Sequence, residues 1–375
     1  MTEKDLLKKL KKFDWVFIVT VLLLLGFGLL SVFSATANLS LTFFHKQSFA
    51  VLLGLVLFVF FSSIDYRLFK KISSAIFVIL LVVLIGVLIF GNRIKGALSW
   101  FHFGFFRFQP VEFVKIAMII VLSKFFTANF RRLKKFRFIV ISSIIVLIPT
   151  FLIVIQPDIG SAFVIVCIWV GMILVAGIKK EHIAILLIVA MSIGLCGWKF
   201  GLKDYQRSRI TSFINPYEDP RGQGYNAIQS VIAVGSGGFW GKGIGNGSQG
   251  QLNFLPERHT DFIFANIAEE MGFVGISFLM TLYAILLLRI VKVAFEANDN
   301  FAKFLVIGIA LMIFVHVLEN VGMNIGIMPI TGIPLPLISF GGSSMVVTLS
   351  SLGIVTSILT HKSIVLKEDE QFDFL

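Results

Sequence analysis

Apolar stretches of about twenty residues return along the whole of this 375-residue chain, and that recurrence confines it to one kind of architecture. A helix needs roughly 20 mostly apolar residues to cross the hydrocarbon of a bilayer, where no water satisfies an open backbone. Scanning on that rule predicts ten spanning helices, at about 15–34, 46–62, 72–90, 110–126, 138–155, 159–177, 182–199, 261–291, 302–323 and 342–361. The second is short, and the eighth is long enough to tilt or to project beyond the bilayer. With 57% hydrophobic and 14% charged residues the chain is not a water-soluble domain. The expectation is an all-α, polytopic integral membrane protein with about ten transmembrane helices, a single membrane domain over 1–375. The lysine-rich start, the apolar run from Trp15 to Phe33 and Ala35-Thr-Ala37 imitate a signal peptide, but the run is too long for an h-region and reads as a retained first helix. Cys167 and Cys196 both lie inside apolar runs, which excludes a disulfide framework or a cysteine metal cluster.

A net charge of +12 would suggest nucleic acid in a soluble protein, but here the loops explain it and no nucleic-acid partner is expected. With residues 1–14 in the cytoplasm, the cytoplasmic segments, including the tail 362–375, hold 21 of the 33 lysines and arginines. The short loops thus obey the positive-inside rule, which long loops follow only weakly. Both termini are then cytoplasmic, and the long loop 201–260 faces outward. The acidic tail from Lys367 to Asp373 reads as disordered.

That long loop is the main polar interval of the chain. It ends in Leu255-Pro-Glu-Arg-His-Thr-Asp-Phe-Ile-Phe264, where Asp261 is the last charge before the apolar run resumes. Ionisable groups close to hydrocarbon are expensive and usually functional, so Asp261 is the first candidate for chemistry. Equally, Thr260 or Asp261 could simply cap the following helix. Arg207, Arg209, Arg221 and Arg258 suit an anionic ligand at the outer membrane surface, because guanidinium grips phosphate with two prongs. Singly, each could instead snorkel to lipid head groups. Gly235 to Gly250 holds eight glycines and could offer backbone N–H groups to an anion, but it lacks the flanking pattern of a nucleotide loop and reads as a tight re-entrant turn.

Three further polar insertions fall on the same side. In Phe108-Gln-Pro-Val-Glu-Phe-Val-Lys115, Pro110 suits the first turn of a helix, and Glu112 and Lys115 share one helical face as an ion pair or a ligand site. In Gln156-Pro-Asp-Ile-Gly160, Asp158 stands where a helix cap is the default. The stretch Asn320 to Ser344, with Pro329, Pro334, Pro336 and Gly341-Gly-Ser-Ser344, cannot be one helix and must be buried in protein or line a wet cavity.

Gly96-Ala, Trp100, Phe108-Gln-Pro-Val-Glu112, Gln156-Pro-Asp-Ile-Gly-Ser-Ala162, Asp204-Tyr-Gln-Arg, Gly235-Ser-Gly-Gly238, Leu255-Pro-Glu-Arg-His-Thr-Asp-Phe-Ile-Phe-Ala265 and Pro329-Ile-Thr-Gly-Ile-Pro-Leu-Pro-Leu-Ile-Ser-Phe-Gly-Gly-Ser-Ser344 together resemble the SEDS family of RodA and FtsW. The resemblance runs from the first helix to the last, and the Thr-Gly-Ile-Pro-Leu-Pro form is more like the elongation branch, RodA, than the division branch. It implies a peptidoglycan glycosyltransferase that polymerises lipid II on the outer face of the bacterial cytoplasmic membrane, beside a class B penicillin-binding protein. The family's essential aspartate falls on Asp261, and its Gln-Pro-Ser-Glu-x-x-Lys motif on Glu112 and Lys115. The chain departs from the family at Val111, where Ser is usual, at Ser99, where Arg commonly precedes the tryptophan, and at Phe340, where Tyr is usual. The missing arginine beside Trp100 removes one anion contact.

On that reading a sugar hydroxyl of one lipid II attacks the anomeric carbon of a chain on undecaprenyl pyrophosphate, which leaves. Asp261 is the expected general base. Arg207 and Arg209, then Arg221, Arg258, Lys115 and Lys46, are candidates to hold the pyrophosphate, and His259, Glu112, Gln156 and Asp158 complete the expected substrate contacts. No cofactor is required, although a divalent cation, Mg or Mn, could replace some of these charges. A single catalytic carboxylate agrees with inversion at the sugar carbon, while Glu257, Glu269 and Glu270 are spare carboxylates. Two other classes stay open: a lipid II flippase, which ten helices and intramembrane charges also suit, and a non-catalytic scaffold for its penicillin-binding partner.

Overall fold

The structure is a computed structural model that describes residues 14–37, 40–94, 97–103, 106–196, 204–220, 222, 224–252 and 254–372. The long helices are α1 Trp15–Thr36, α2 Leu41–Ser63, α3 Arg67–Phe90, α4 Pro110–Asn129, α5 Phe136–Ile155, α6 Ile159–Val175 and α7 Lys180–Cys196. The long loop contributes α8 Asp204–Ile214, α9 Tyr225–Ser236 and α10 Ser248–Gln251, and the chain ends with α11 Ile263–Glu296, α12 Asn300–Asn324 and α13 Gly342–Phe372.

Short polar side chains start several of these helices by accepting their first N–H groups. Asp14 caps α1 through Phe17 N, Ser40 caps α2, Asp158 caps α6 and Asp299 caps α12. Pro110 sits at the first position of α4, where a missing N–H costs nothing. Among the described residues seven helices are long and apolar enough to cross a membrane, and α6 is an apolar helix of 17 residues. The second span is not short: Ser40 starts it at Leu41, several residues before the apolar run.

Three findings depart from the expected outline. A small antiparallel sheet, β1 Asn92–Ile94, β2 Ala97–Phe103 and β3 Phe106–Phe108, joins α3 to α4. The eighth span is neither straight nor merely tilted, because Gly272 breaks α11 with φ 62° and ψ −161°. The glycine-rich loop enters that break: Lys242 and Gly243 donate to the carbonyls of Glu269 and Glu270, and Phe273 and Val274 donate to those of Gly238 and Phe239. A Cβ at Gly241 would lie 2.2 Å from the Glu270 carbonyl oxygen, so only glycine permits the approach. Those N–H groups are therefore committed to a helix, not offered to an anion.

α12 and α13 form the interior of the bundle, with 72% and 89% of their spanning windows buried, against 22% for α2 and α3. α12 packs on α11, α4 and α6, while α13 packs on α2. Leu52, Val56, Val59 and Phe60 on α2 and Ile79, Val82 and Ile89 on α3 present large apolar groups outward. A surface so rich in exposed apolar residues belongs in lipid, and the molecule is a helical multi-pass membrane protein.

Hydrogen bonds tie each end of the bundle together. At one end Tyr66 donates to Asp299 at 2.5 Å, Arg289 pairs with Asp14 at 3.4 Å, and Ser357 donates to Ile64 O at 2.5 Å. At the other, Arg258 reaches Ala35, Gln47 reaches Ser339, Gln109 N donates to Ser343, and Asn320 reaches Asp261. The second end brings together Gln47, Gln109, Arg258, Asp261 and the irregular stretch that follows α12.

Candidate functional site

Between α12 and α13 the chain runs irregularly through the protein interior, with Ile333, Leu335, Leu337, Ile338 and Ser339 all buried. Backbone groups at such depth must find partners inside the protein, and polar side chains supply them. Gln47 of α2 donates to Ser339 O at 3.0 Å and accepts from Gly341 N at 3.2 Å. Ser339 Oγ accepts from Leu335 N and donates to Thr260 O, and the Tyr283 hydroxyl of α11 donates to Pro336 O. Asn320 of α12 donates to Ile333 O at 2.8 Å. Gly28 of α1 lets this wall pack closely, since a Cβ there would stand 2.4 Å from Leu337 O.

Asp261 sits where the outer loop meets α11, facing that wall. Its carbonyl oxygen accepts from both Asn320 Nδ2 at 3.0 Å and Asn324 Nδ2 at 3.1 Å. Its carboxylate faces Gly332, where a Cβ would lie 3.6 Å from Oδ2. The capping alternative does not hold: α11 begins at Ile263 with no side-chain cap, and the Thr260 hydroxyl turns back to Glu257 Oε2 at 2.9 Å. Asn324 Oδ1 instead accepts from Ala265 N at 3.2 Å, so a neighbouring helix supplies the missing acceptor. Asp261 is half-buried at the edge of the wall.

The other candidates divide sharply. Lys115 is completely buried, donating to Glu112 Oε1 at 2.6 Å and contacting His316 Nε2 at 2.9 Å, which is the ion-pair alternative for this motif. Asp158 is a helix cap, accepting from Ser161 N and Ser161 Oγ at 3.0 Å, and burial pushes its carboxyl above the usual range. Gln109 also reaches Asp158, at 3.4 Å. Gln156 is buried and donates to Leu84 O of α3. Arg258 is 4% exposed with its Nε on Ala35 O, closing the end of α1, and burial lowers its proton affinity. His259 packs between Phe43 and Phe340, with ring centroids at 4.7 and 5.5 Å. Phe340 also meets Phe43 edge-on, so its departure from tyrosine falls in an apolar cage.

Arg207 on α8 and Lys46 on α2 are half-buried, while Arg221 and the side chain of Arg209 lie outside the described residues. The spare carboxylates have local tasks. Glu269 accepts from Lys242, Ser248 and Gln249 N, holding the glycine-rich loop, and Glu270 accepts from Ser34 at 2.7 Å. Among the described residues no group of three or more His, Cys, Asp or Glu side chains is gathered so as to hold a metal ion.

Sequence reasoning passed over Gln47, Tyr283, His316, Glu319, Asn320 and Asn324. For the last four a signal existed: spaced three, one and four residues apart, they form a polar stripe on an apolar helix, whose burial the bilayer makes expensive unless it is used.

A family model described as Cell cycle protein, FTSW_RODA_SPOVE, matches residues 14–364. The chain is 36% identical over 356 residues to the peptidoglycan glycosyltransferase MrdB of Escherichia coli K12, covering 94% of this chain and 95% of that protein. It is 37% identical over 355 residues to the stage V sporulation protein E of Bacillus subtilis, covering 92% and 96%. Among solved structures, a chain of a peptidoglycan synthase complex that coordinates polymerization and crosslinking superposes with a TM-score of 0.81 at 32% identity, covering 93% and 98%. The rod shape determining protein RodA of Thermus thermophilus, in an aspartate-to-alanine mutant form, superposes with a TM-score of 0.70 at 27% identity, covering 94% and 98%. A match that spans nearly the whole chain, with relatives and solved structures of the same length, makes this protein a member of the FtsW/RodA/SpoVE family.

Proposed function

We propose that this protein is a peptidoglycan glycosyltransferase that polymerises lipid II during cell elongation at the outer face of the bacterial cytoplasmic membrane, both termini being cytoplasmic. The observation that carries the reading is the treatment of Asp261. Two asparagines from α12 fix its main chain, and its carboxylate faces a buried irregular wall that three helices hold in place. A reacting group needs that preorganisation, because misplacing it by about 1 Å costs about 10²-fold in rate.

Asp261 then takes the proton from the attacking hydroxyl as its oxygen bonds to the anomeric carbon. The pyrophosphate departs with the electrons of the broken C–O bond, and cations must meet the charge that develops on it. Arg207, Arg209, Arg221 and Lys46 are the cations proposed for that task, with a divalent ion as a further source of positive charge. Arg258 and Lys115 act from within the protein, by shaping the site. The proposed partner is a class B penicillin-binding protein, in keeping with the synthase complex that shares this fold.

The test is lipid II polymerisation by purified protein, alone and with a partner whose transpeptidase is inactive, comparing wild type with Asp261→Asn. Strands from wild type and none from a folded Asp261→Asn support the reading. Strands from both would remove Asp261 from the chemistry. No strands from either, with lipid II still crossing vesicles in a protein-dependent way, would replace synthesis with transport.

A further inference from the structure

A histidine that the proposed chemistry does not use sits in the apolar interior between α4 and α12. His316 is 3% exposed, and Lys115 of α4, which meets it, is completely buried. The ring Nδ1 lies 2.6 Å from Met312 O, one turn earlier on the same helix, and Nε2 lies 2.9 Å from Lys115 Nζ. A carbonyl oxygen only accepts and an ammonium only donates, so the two partners fix the roles of both nitrogens. The ring carries its proton on Nδ1, donates to Met312 O and accepts from Lys115 through Nε2. Lys115 also donates to Glu112 Oε1 at 2.6 Å, so one ammonium is shared between its own helix and α12.

In lipid no hydrophobic force presses helices together, so close packing and interhelical hydrogen bonds decide how they sit. The packing here is tight, since a Cβ at Gly308 of α12 would stand 2.4 Å from Ile119 Cγ2 of α4. The bond from Lys115 to His316 adds direction to that contact, because a charge-assisted hydrogen bond is short and strong. His316, Asn320 and Asn324 stand four residues apart, which makes them neighbours along one strip of α12. Asn320 donates to Asp261 O at 3.0 Å and to Ile333 O at 2.8 Å, and Asn324 donates to Asp261 O at 3.1 Å. A rise of about 6 Å along continuous helix separates His316 from Asn320, so what sets the ring also sets the amides.

We propose that His316 is a positioning residue for the reaction: by accepting from Lys115 it sets the rotation and height of α12, and so places Asn320 and Asn324 where they hold the Asp261 main chain. It touches no substrate. The inference rests on the general-base reading of Asp261.

The experiment measures kcat and KM separately for lipid II polymerisation by the full chain with its partner. The variants are His316→Gln, His316→Asn, His316→Phe, Asn320→Leu, the double variant of His316→Phe with Asn320→Leu, and Asp261→Asn. Glutamine can bring an amide oxygen to the place of Nε2 and keep the bond to Lys115, whereas the shorter asparagine reaches only the place of Nδ1. Phenylalanine keeps the ring and loses both bonds. In His316→Phe and His316→Asn kcat is expected to fall about 10²-fold with KM unchanged, as for a reacting group displaced by about 1 Å, and in His316→Gln it should return to near the wild-type value. Added to Asn320→Leu, His316→Phe should cost little more, because both act on one contact. If His316→Phe does not fold, His316→Asn takes its place, alone and in the double variant. Equal kcat in His316→Gln and His316→Asn, a change in KM alone, or a loss that adds in full to that of Asn320→Leu each overturns the proposal. An inactive Asp261→Asn beside any of these defeats this inference alone, whereas an active Asp261→Asn defeats the general-base reading and this inference with it.

Discussion

Two irregular stretches lie near the start of α11, and they meet the same requirement in opposite ways. Segment 329–341 is rich in proline and satisfies its buried backbone with side chains from α2, α11 and α12. Segment 237–243 is rich in glycine and satisfies its backbone with the backbone of α11, opened at Gly272. The first arrangement can be retuned by changing one side chain at a time, which suits the wall of a reaction site. The second depends on the absence of side chains at Gly241 and Gly272, which suits a fixed anchor.

The glycine-held segment should give the largest effect when disturbed. Gly241→Val would force a Cβ to 2.2 Å from a carbonyl oxygen at φ 80°, so a loss beyond about 4 kcal/mol is expected, at the severe end for point mutations. Size-exclusion in detergent should show loss of the monodisperse protein, and an intact peak would break the comparison. Asn324→Leu attacks the side-chain-held segment. It removes a donor to Asp261 and the acceptor of Ala265 N, at about 1–3 kcal/mol for each buried group left bare. Here the protein should still fold while polymerisation falls about 10²-fold, as for a misplaced reacting group; parallel losses of fold and activity would make Asn324 merely structural. Gln47→Leu strips Ser339 O and Gly341 N of one shared partner, and about 1–3 kcal/mol should disappear from thermal unfolding with a smaller drop in rate.

The smallest effect is expected at the opposite end of the bundle. Tyr66→Phe removes the bond to Asp299 and should cost about 1 kcal/mol, leaving polymerisation unchanged. Burial, and then Asp299, push the Tyr66 hydroxyl from 10.0 up to about 12. A folded value above the unfolded one gives stability that is complete below pH 10 and is lost as pH rises towards 12. Tyr66→Phe should lack that alkaline loss, and following unfolding as pH rises from below 10 to about 12 checks it.

Much of the architecture was legible because lipid is an unforgiving solvent. The length and apolarity of each run set the helices, Pro110 and Asp158 marked true helix starts, and the prolines after Asn324 announced an irregular buried wall. The site was legible only in part. Asp261 stood out as the last charge before an apolar run, but nothing local could decide between a helix cap and a carboxylate turned to the wall, since the donors that fix its main chain come from residues 59 and 63 positions away. Lys115 and Arg258 were candidates to grip an anion, and their actual partners, His316 and Ala35, are remote in sequence.

What the sequence determined by itself was therefore the set of long apolar helices, because it follows from local hydropathy. What only the tertiary structure decided was which polar group answers which. That choice depends on long-range contacts: Asn324 rather than Thr260 completes the start of α11, and Glu270 and Gly241 meet across a broken helix. A buried polar group must find a partner, but its own neighbourhood in the chain does not say which one.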